Sequence, residues 1–333
     1  MDGVISDKKE VFLKMRCAVL DDYQNIALSM ADWSSITNNV EVRVFNQHFS
    51  SEEDLINAVI DCEIIVAMRE RTPFHDALFA RLPALKLLVT TGMRNASIDL
   101  AAAAQHDVIV CGTGGVSHSR ATVELTWTLI LSISRNITQE VRSIQTNGPW
   151  QTTIGTDIYG KRLGVIGLGK IGSDVARIGK AFGMDVTAWS QNLTEERAEA
   201  AGATLASSKE ELLEKSDFVS IHLVLSDRTK GLIGRPELQR MKKSAYLINT
   251  SRAPIVDQVA LKDALQNHWI AGAGLDVFET EPLPDNDSFR VLPNVFATPH
   301  IGYVTHDTYR VWYSEAVEDI QAYLSGTPIR VIS

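Results

Sequence analysis

Four short apolar runs in the second half of the chain end on side chains that can do chemistry. Ser216-Asp-Phe-Val-Ser-Ile-His222 ends on a histidine, Ala245-Tyr-Leu-Ile-Asn-Thr-Ser-Arg252 on an arginine, Gly274-Leu-Asp276 on an acid with Glu279 and Glu281 behind it, and Val295-Phe-Ala-Thr-Pro-His300 on a second histidine. Runs of this kind read as parallel strands, and in an open parallel sheet ligands sit beyond the carboxyl ends of the strands. Taken singly, each residue has an ordinary reading: an arginine after a strand is usually a surface charge, a glutamate in Glu279-Thr-Glu281-Pro is usually solvated, and a histidine after Thr-Pro is often a satisfied structural group. Delivered to one sheet edge, they supply what reduction of a 2-keto acid needs. Arg252 offers a planar fork to the carboxylate and polarises the carbonyl. His300 supplies the proton, histidine being the side-chain type that titrates near neutrality. Glu281, on the far ring nitrogen, would orient His300 and stabilise its cationic form. Asp276 is expected near a nicotinamide ring, and His222 reads as cofactor-lining or structural.

A hydride donor is implied by a second motif. Gly167-Leu-Gly169-Lys-Ile-Gly172 follows the apolar run Leu163–Ile166 and opens a helical pattern read over 174–182, before the next strand-like run at Val186. In that setting the first glycine makes a tight turn, the second lets backbone approach a pyrophosphate, and the third lets helix pack close to strand. The helix N-terminus adds unpaired N–H groups and partial positive charge. Three glycines alone are usually just a turn; the complete strand–turn–helix–strand unit makes this a dinucleotide site. The acid that normally holds the adenosine ribose about 20 residues on is missing, since the chain there reads Ala188-Trp-Ser190-Gln-Asn192. With no carboxylate to repel a 2′-phosphate, but only the distant Arg197 to attract one, NADP(H) is favoured over NAD(H), or both are tolerated.

The elements that must position these residues alternate along the chain, and that alternation predicts an α/β protein with parallel sheets. Strand-like runs at Cys17–Leu20, Val42–Phe45, Ile64–Ala67, Leu85–Val89 and Val108–Cys111 precede a long apolar helix read over 121–137. A second series starts at Leu163 and runs to Val295–Ala297, and from Tyr303 the pattern is helical again. The expected division is a discontinuous substrate domain, 1–118 with 303–333, around a dinucleotide-binding domain, 119–302, with a cleft between them. The 333 residues suit two domains, and 45% hydrophobic with 22% charged residues gives a globular composition. A formal charge of −9, from 32 basic and 41 acidic side chains, argues against nucleic acid as a partner. Cys17, Cys62 and Cys111 are odd in number and lack metal-ligand spacing, so buried thiols, no metal and a cytoplasmic location are expected. No run reaches the ~18 apolar residues that a membrane span needs, and the charged start, residues 1–10, reads as a loose extension rather than a secretory signal.

With these residues in place the sequence resembles the D-isomer-specific 2-hydroxyacid dehydrogenase family. The resemblance rests on Val123-Glu-Leu125, Gly160–Gly172, Ser216–Leu223, Tyr246–Arg252, Gly274–Phe278, Glu281-Pro282 and Thr298–Gly302. It implies two doubly wound domains, Rossmann-type and flavodoxin-like, with Arg252, Glu281 and His300 as the catalytic set. It also implies a homodimer built through the cofactor domain and the long helix. Carried over by position, Gly169, Lys170 and Ile171 match the pyrophosphate turn, Ser190 the ribose position, Leu223 and Val224 the adenine-side loop, and Thr250 and Asp276 the nicotinamide side, with Thr122 facing the cofactor. The family's glycine-rich substrate loop reads Thr91-Gly92-Met-Arg94 here, with Arg94 in place of the second glycine. Arg94, Arg69 and Arg71 either add charge for a second anionic group or pair with Glu70. Two other readings compete: a dinucleotide-sensing, corepressor-like protein on the same scaffold, and a methyltransferase-like nucleotide site. The second gives no reason for arginine, glutamate and histidine at successive strand ends.

Overall fold

The computed structural model describes residues 14–114 and 118–332, the side chains of 118 and 119 excepted. The charged start read as a loose extension lies outside the described residues. The chain divides into two compact units, Met1–Val116 with His306–Ser333, and Ser117–Thr305.

The first unit is built on five parallel strands, β1 (Met15–Val19), β2 (Val40–Val44), β3 (Ile64–Ala67), β4 (Leu87–Thr90) and β5 (Ile109–Gly112), in the order β2-β1-β3-β4-β5. This is the flavodoxin-like order, whose sense reverses between β1 and β3. The middle strands are buried end to end, which is why they read as unbroken apolar runs: helices cover both faces of such a sheet. Ala18, Leu20, Ile65, Leu88 and Val110 meet Leu55, Leu78 and Phe79 in one core. The C-terminal helix His306–Leu324 buries Tyr309, Trp312, Tyr313, Ala316 and Ile320, the three-and-four spacing of a stripe facing a core. Beyond it the chain runs antiparallel to β5, with Gly112 N–H donating to Arg330 O at 3.0 Å and Ile332 N–H to Val110 O at 2.9 Å. All three cysteines are buried and unbonded.

The second unit has seven parallel strands, β6 (Arg162–Ile166), β7 (Asp185–Trp189), β8 (Thr204–Leu205), β9 (Phe218–Ile221), β10 (Tyr246–Asn249), β11 (Gly272–Leu275) and β12 (Val295–Ala297), in the order β12-β11-β10-β9-β6-β7-β8. The order reverses between β6 and β9, the Rossmann-type switch point. The two-residue edge strand β8 is too short to leave a periodic signal. Two helix boundaries differ from the sequence reading. The long helix spans His118–Ser134 rather than ending at Ile137, because Asn136 takes the left-handed region (φ 50°), which asparagine tolerates; a separate helix, Ile137–Gln145, follows. The helix after the glycine turn begins at Lys170, four residues earlier than its apolar pattern suggested. Among the described residues no helix is long and apolar enough to cross a membrane.

Candidate active site

The glycine turn lies at the switch point of the second unit. Gly167 sits at φ +96°, and a Cβ there would come within 2.6 Å of the His222 carbonyl at the end of β9, so only glycine closes this turn without strain. A Cβ at Gly172 would lie 2.0 Å from Gly167 O, whereas one at Gly169 would meet nothing within 4 Å. The three positions therefore differ: two are needed for close packing, and one leaves open space at the start of the twelve-residue helix Lys170–Ala181. A helix N-terminus beside a side-chain-free position fits a diphosphate. Ser190 directly follows β7, with Gln191 and Asn192 exposed beside it and no carboxylate there. Leu223 borders Gly167, and Val224 is exposed. His222 bonds Ser220 Oγ through Nε2 at 2.8 Å, and burial pushes its imidazole down to about 3, so it is neutral.

The strand register carries the remaining residues to one edge. Asn249 of β10 pairs with Leu275 of β11, which pairs with Ala297 of β12. Arg252 and His300 thus lie three residues past the ends of their strands, and Asp276 one residue past the strand between them. The turn to Arg252 is closed by the buried Asn249 amide, whose Oδ1 accepts from Ser251 N–H at 3.0 Å and whose Nδ2 donates to Arg252 O at 3.1 Å. The Arg252 guanidinium donates back to Ser251 O at 2.8 Å.

His300 is held from two sides. Its Nδ1 lies 2.6 Å from Glu281 Oε2, and Glu281 Oε1 accepts the Phe278 N–H at 2.8 Å. The Tyr303 ring meets the imidazole edge-on, centroids 5.3 Å apart. His300 itself has φ +53°, a backbone conformation costly for a non-glycine residue and most often found where a site over-determines it. The buried Asp276 supports that conformation: its carboxylate accepts the Thr298 hydroxyl at 2.6 Å and the Ile301 and Gly302 N–H groups, each at 2.8 Å. Burial raises the Asp276 carboxyl, and these bonds with the nearby His300 oppose the rise. A chain of threonines ties in the long helix, with Thr126 Oγ1 2.8 Å from Thr250 Oγ1 and Thr122 Oγ1 donating to Gly302 O at 3.1 Å. Asn249, Thr126 and Thr298 carry no catalytic signature in sequence, and only their position next to signature residues could have drawn attention.

In the first unit, the Gly92 N–H is already taken by Thr113 Oγ1 at 2.9 Å, and Gly92 lies against Arg69, whose guanidinium occupies the place of a Cβ. Arg69 pairs with Glu70 at 3.4 Å, and Arg94 is exposed. Among the described residues no group of three His, Cys, Asp or Glu side chains could hold a metal.

The chain as a whole is similar to known proteins. The model of the D-isomer specific 2-hydroxyacid dehydrogenase, NAD binding domain, matches residues 127–302. A glyoxylate reductase of Korarchaeum cryptofilum is 35% identical over 282 residues, 83% of this chain and 84% of that protein. A D-3-phosphoglycerate dehydrogenase of Bacillus subtilis is 37% identical over 264 residues, 79% of this chain but only 50% of that longer protein. The crystal structure of a phosphoglycerate oxidoreductase from Vibrio cholerae shares the fold with a TM-score of 0.89 at 35% identity, covering 94% of this chain and 100% of that one. Motifs, fold and comparisons agree, and the chain belongs to the D-isomer-specific 2-hydroxyacid dehydrogenase family.

Proposed function

We propose that this protein reduces 2-keto acids to D-2-hydroxy acids, reversibly, with Arg252, Glu281 and His300 as its catalytic residues. The observation that carries the reading is the 2.6 Å contact between Glu281 and His300 on the sheet edge that also bears Arg252. A bound nicotinamide dinucleotide supplies the hydride. Gly167, Gly169 and Gly172, with the Lys170 and Ile171 amides, hold its diphosphate; Ser190 takes the ribose, Leu223 and Val224 the adenine side, and Thr122, Thr250 and Asp276 the nicotinamide side. Arg252 grips the substrate carboxylate and draws charge from the keto oxygen. His300, with Nδ1 held by Glu281, gives its Nε2 proton to that oxygen as the hydride reaches the carbon, and Glu281 stabilises the imidazolium until then. Gly92, Arg94 and Arg69 belong to the substrate side. NADP(H) is the favoured cofactor over NAD(H), supported by the missing acid after β7.

The protein acts as a cytoplasmic homodimer in this reading. Support comes from the apolar side chains that the second unit leaves exposed along 137–159, including Ile144 at 61%, Trp150 at 79% and Ile154 at 97%. An apolar stretch of that kind marks an interaction surface in a water-soluble protein. Free cysteines suit a reducing compartment. The decisive assay offers a panel of small 2-keto acids with NADH and with NADPH. Oxidation of the cofactor is expected, together with loss of turnover but not of dinucleotide binding in Arg252→Ala. Cofactor binding without turnover across the panel would overturn the reading in favour of a sensing protein.

A further inference from the structure

Two threonines of the long helix His118–Ser134 reach the strand-end residues of the site, and their hydroxyl bonds have a direction. Thr126 is 0% exposed, and its Oγ1 donates to Thr122 O at 2.8 Å, the bond that a helical threonine makes to the carbonyl one turn back. A hydroxyl has one proton and two lone pairs. Its proton engaged, Thr126 Oγ1 can only accept. The 2.8 Å contact between Thr126 Oγ1 and Thr250 Oγ1 is therefore a bond that Thr250 donates, and both of these buried protons have an acceptor, as burial requires.

Thr250 lies one residue past β10 and is 8% exposed. With its proton turned toward the helix, it keeps only lone pairs for a ligand. Its neighbours on the nicotinamide side of the proposed site are alike. Thr122 gives its hydroxyl proton to Gly302 O at 3.1 Å. Asp276 takes the Thr298 hydroxyl and the Ile301 and Gly302 N–H groups, and a carboxylate is an acceptor in any orientation. These three side chains accept and do not donate. A nicotinamide carries a carboxamide, whose amino end donates and whose carbonyl end accepts. An acceptor-only set takes the amino end and turns the carbonyl end away.

We propose that Thr126 is a positioning residue of the cofactor site: by taking the Thr250 proton, it makes the Thr250 oxygen an acceptor for the amino end of the nicotinamide carboxamide. Thr126 is itself fully buried and acts through Thr250. The inference rests on the assignment of Thr250 to the nicotinamide side and goes beyond it, since it fixes which way round the carboxamide is held. A specificity follows. A dinucleotide whose ring bears a carbonyl acceptor but no N–H donor is discriminated against, and the discrimination depends on a residue behind the site.

The test measures dissociation constants by calorimetry, without substrate, for the reduced dinucleotide that the wild type binds more tightly and for its 3-acetylpyridine analogue, whose methyl ketone has no N–H to give. The wild type should favour the carboxamide about three- to tenfold, the worth of one hydrogen bond. Thr126→Val keeps the shape of the side chain but frees the Thr250 hydroxyl to turn and donate to the carbonyl of either ligand, so the ratio should fall toward one. Thr126→Ser, which returns the hydroxyl, should restore it. A merely structural threonine would weaken both ligands alike and leave the ratio in place. Equal affinity of the wild type for the two ligands, or a ratio unmoved in Thr126→Val, overturns the inference and leaves the dinucleotide site standing. Should Thr126→Val fail to fold, Thr126→Ala takes its place and is held to the same ratio. Binding of neither ligand overturns instead the reading of Thr250 and the glycine turn as a cofactor site.

Discussion

The Asn249 side chain donates to the Arg252 carbonyl across 3.1 Å, from a residue only 1% exposed. Because the same amide also accepts from Ser251 N–H, one buried side chain sets the path of the turn that presents the guanidinium. Asn249→Asp keeps the acceptor and loses the donor, leaving the Arg252 carbonyl with only the longer 3.3 Å bond from the Ile255 N–H and setting a carboxylate against that carbonyl, at a cost of about 1–3 kcal/mol. We expect KM for the 2-keto acid to rise roughly tenfold or more while kcat and dinucleotide affinity change little. A loss confined to kcat would show that Asn249 does not act through Arg252.

Reduction consumes a proton and oxidation releases one, so His300 should couple the two directions oppositely to pH. In the wild type, reduction should weaken and oxidation strengthen as pH rises. His300→Gln should cost about 10²–10⁴ in kcat and flatten both profiles. Glu281→Gln should cost less, since an amide oxygen can still hold the His300 Nδ1–H that Glu281 now holds at 2.6 Å, but without the charge. Steady-state rates from pH 5 to 9 in both directions decide this; a profile unmoved by His300→Gln removes that residue from proton transfer.

Cofactor choice should follow the residue after β7. Ser190 presents no charge, so NADPH is expected to bind at least as tightly as NADH. Ser190→Asp places a carboxylate where the ribose hydroxyls are expected, and should weaken NADPH about tenfold or more by repulsion while sparing NADH. Fluorescence titration with both reduced cofactors reads the ratio, and tighter NADH binding by the wild type refutes the preference.

Association should depend on the exposed apolar stretch that follows the break at Asn136. Ile144→Asp puts a charge on that surface, and sedimentation velocity should then show a monomer at concentrations where the wild type is a dimer. Since Ile144 is 61% exposed, the melting temperature of the isolated unit's core should owe little to it. A dimer that survives Ile144→Asp unchanged would place the interface elsewhere.

Much of this protein is written locally. Parallel strands buried on both faces need unbroken apolar runs, so Ile64–Ala67 and Phe218–Ile221 are legible at their full length, and residues at strand ends fall on one edge because the sheet is parallel. Gly167, Gly169 and Gly172 are likewise legible, since each answers a steric demand of one turn. The helix end at Ser134 is not, because a single asparagine in the left-handed region ends it without disturbing the apolar period. Nor is the support beneath the site. That Asp276 holds the Thr298–Gly302 loop, that Asn249 folds the Arg252 turn, and that Thr113 takes the Gly92 N–H are pairings across 3 to 26 residues of chain. They use common side chains whose roles come from distance alone, and distance between remote residues exists only once the sheets have formed.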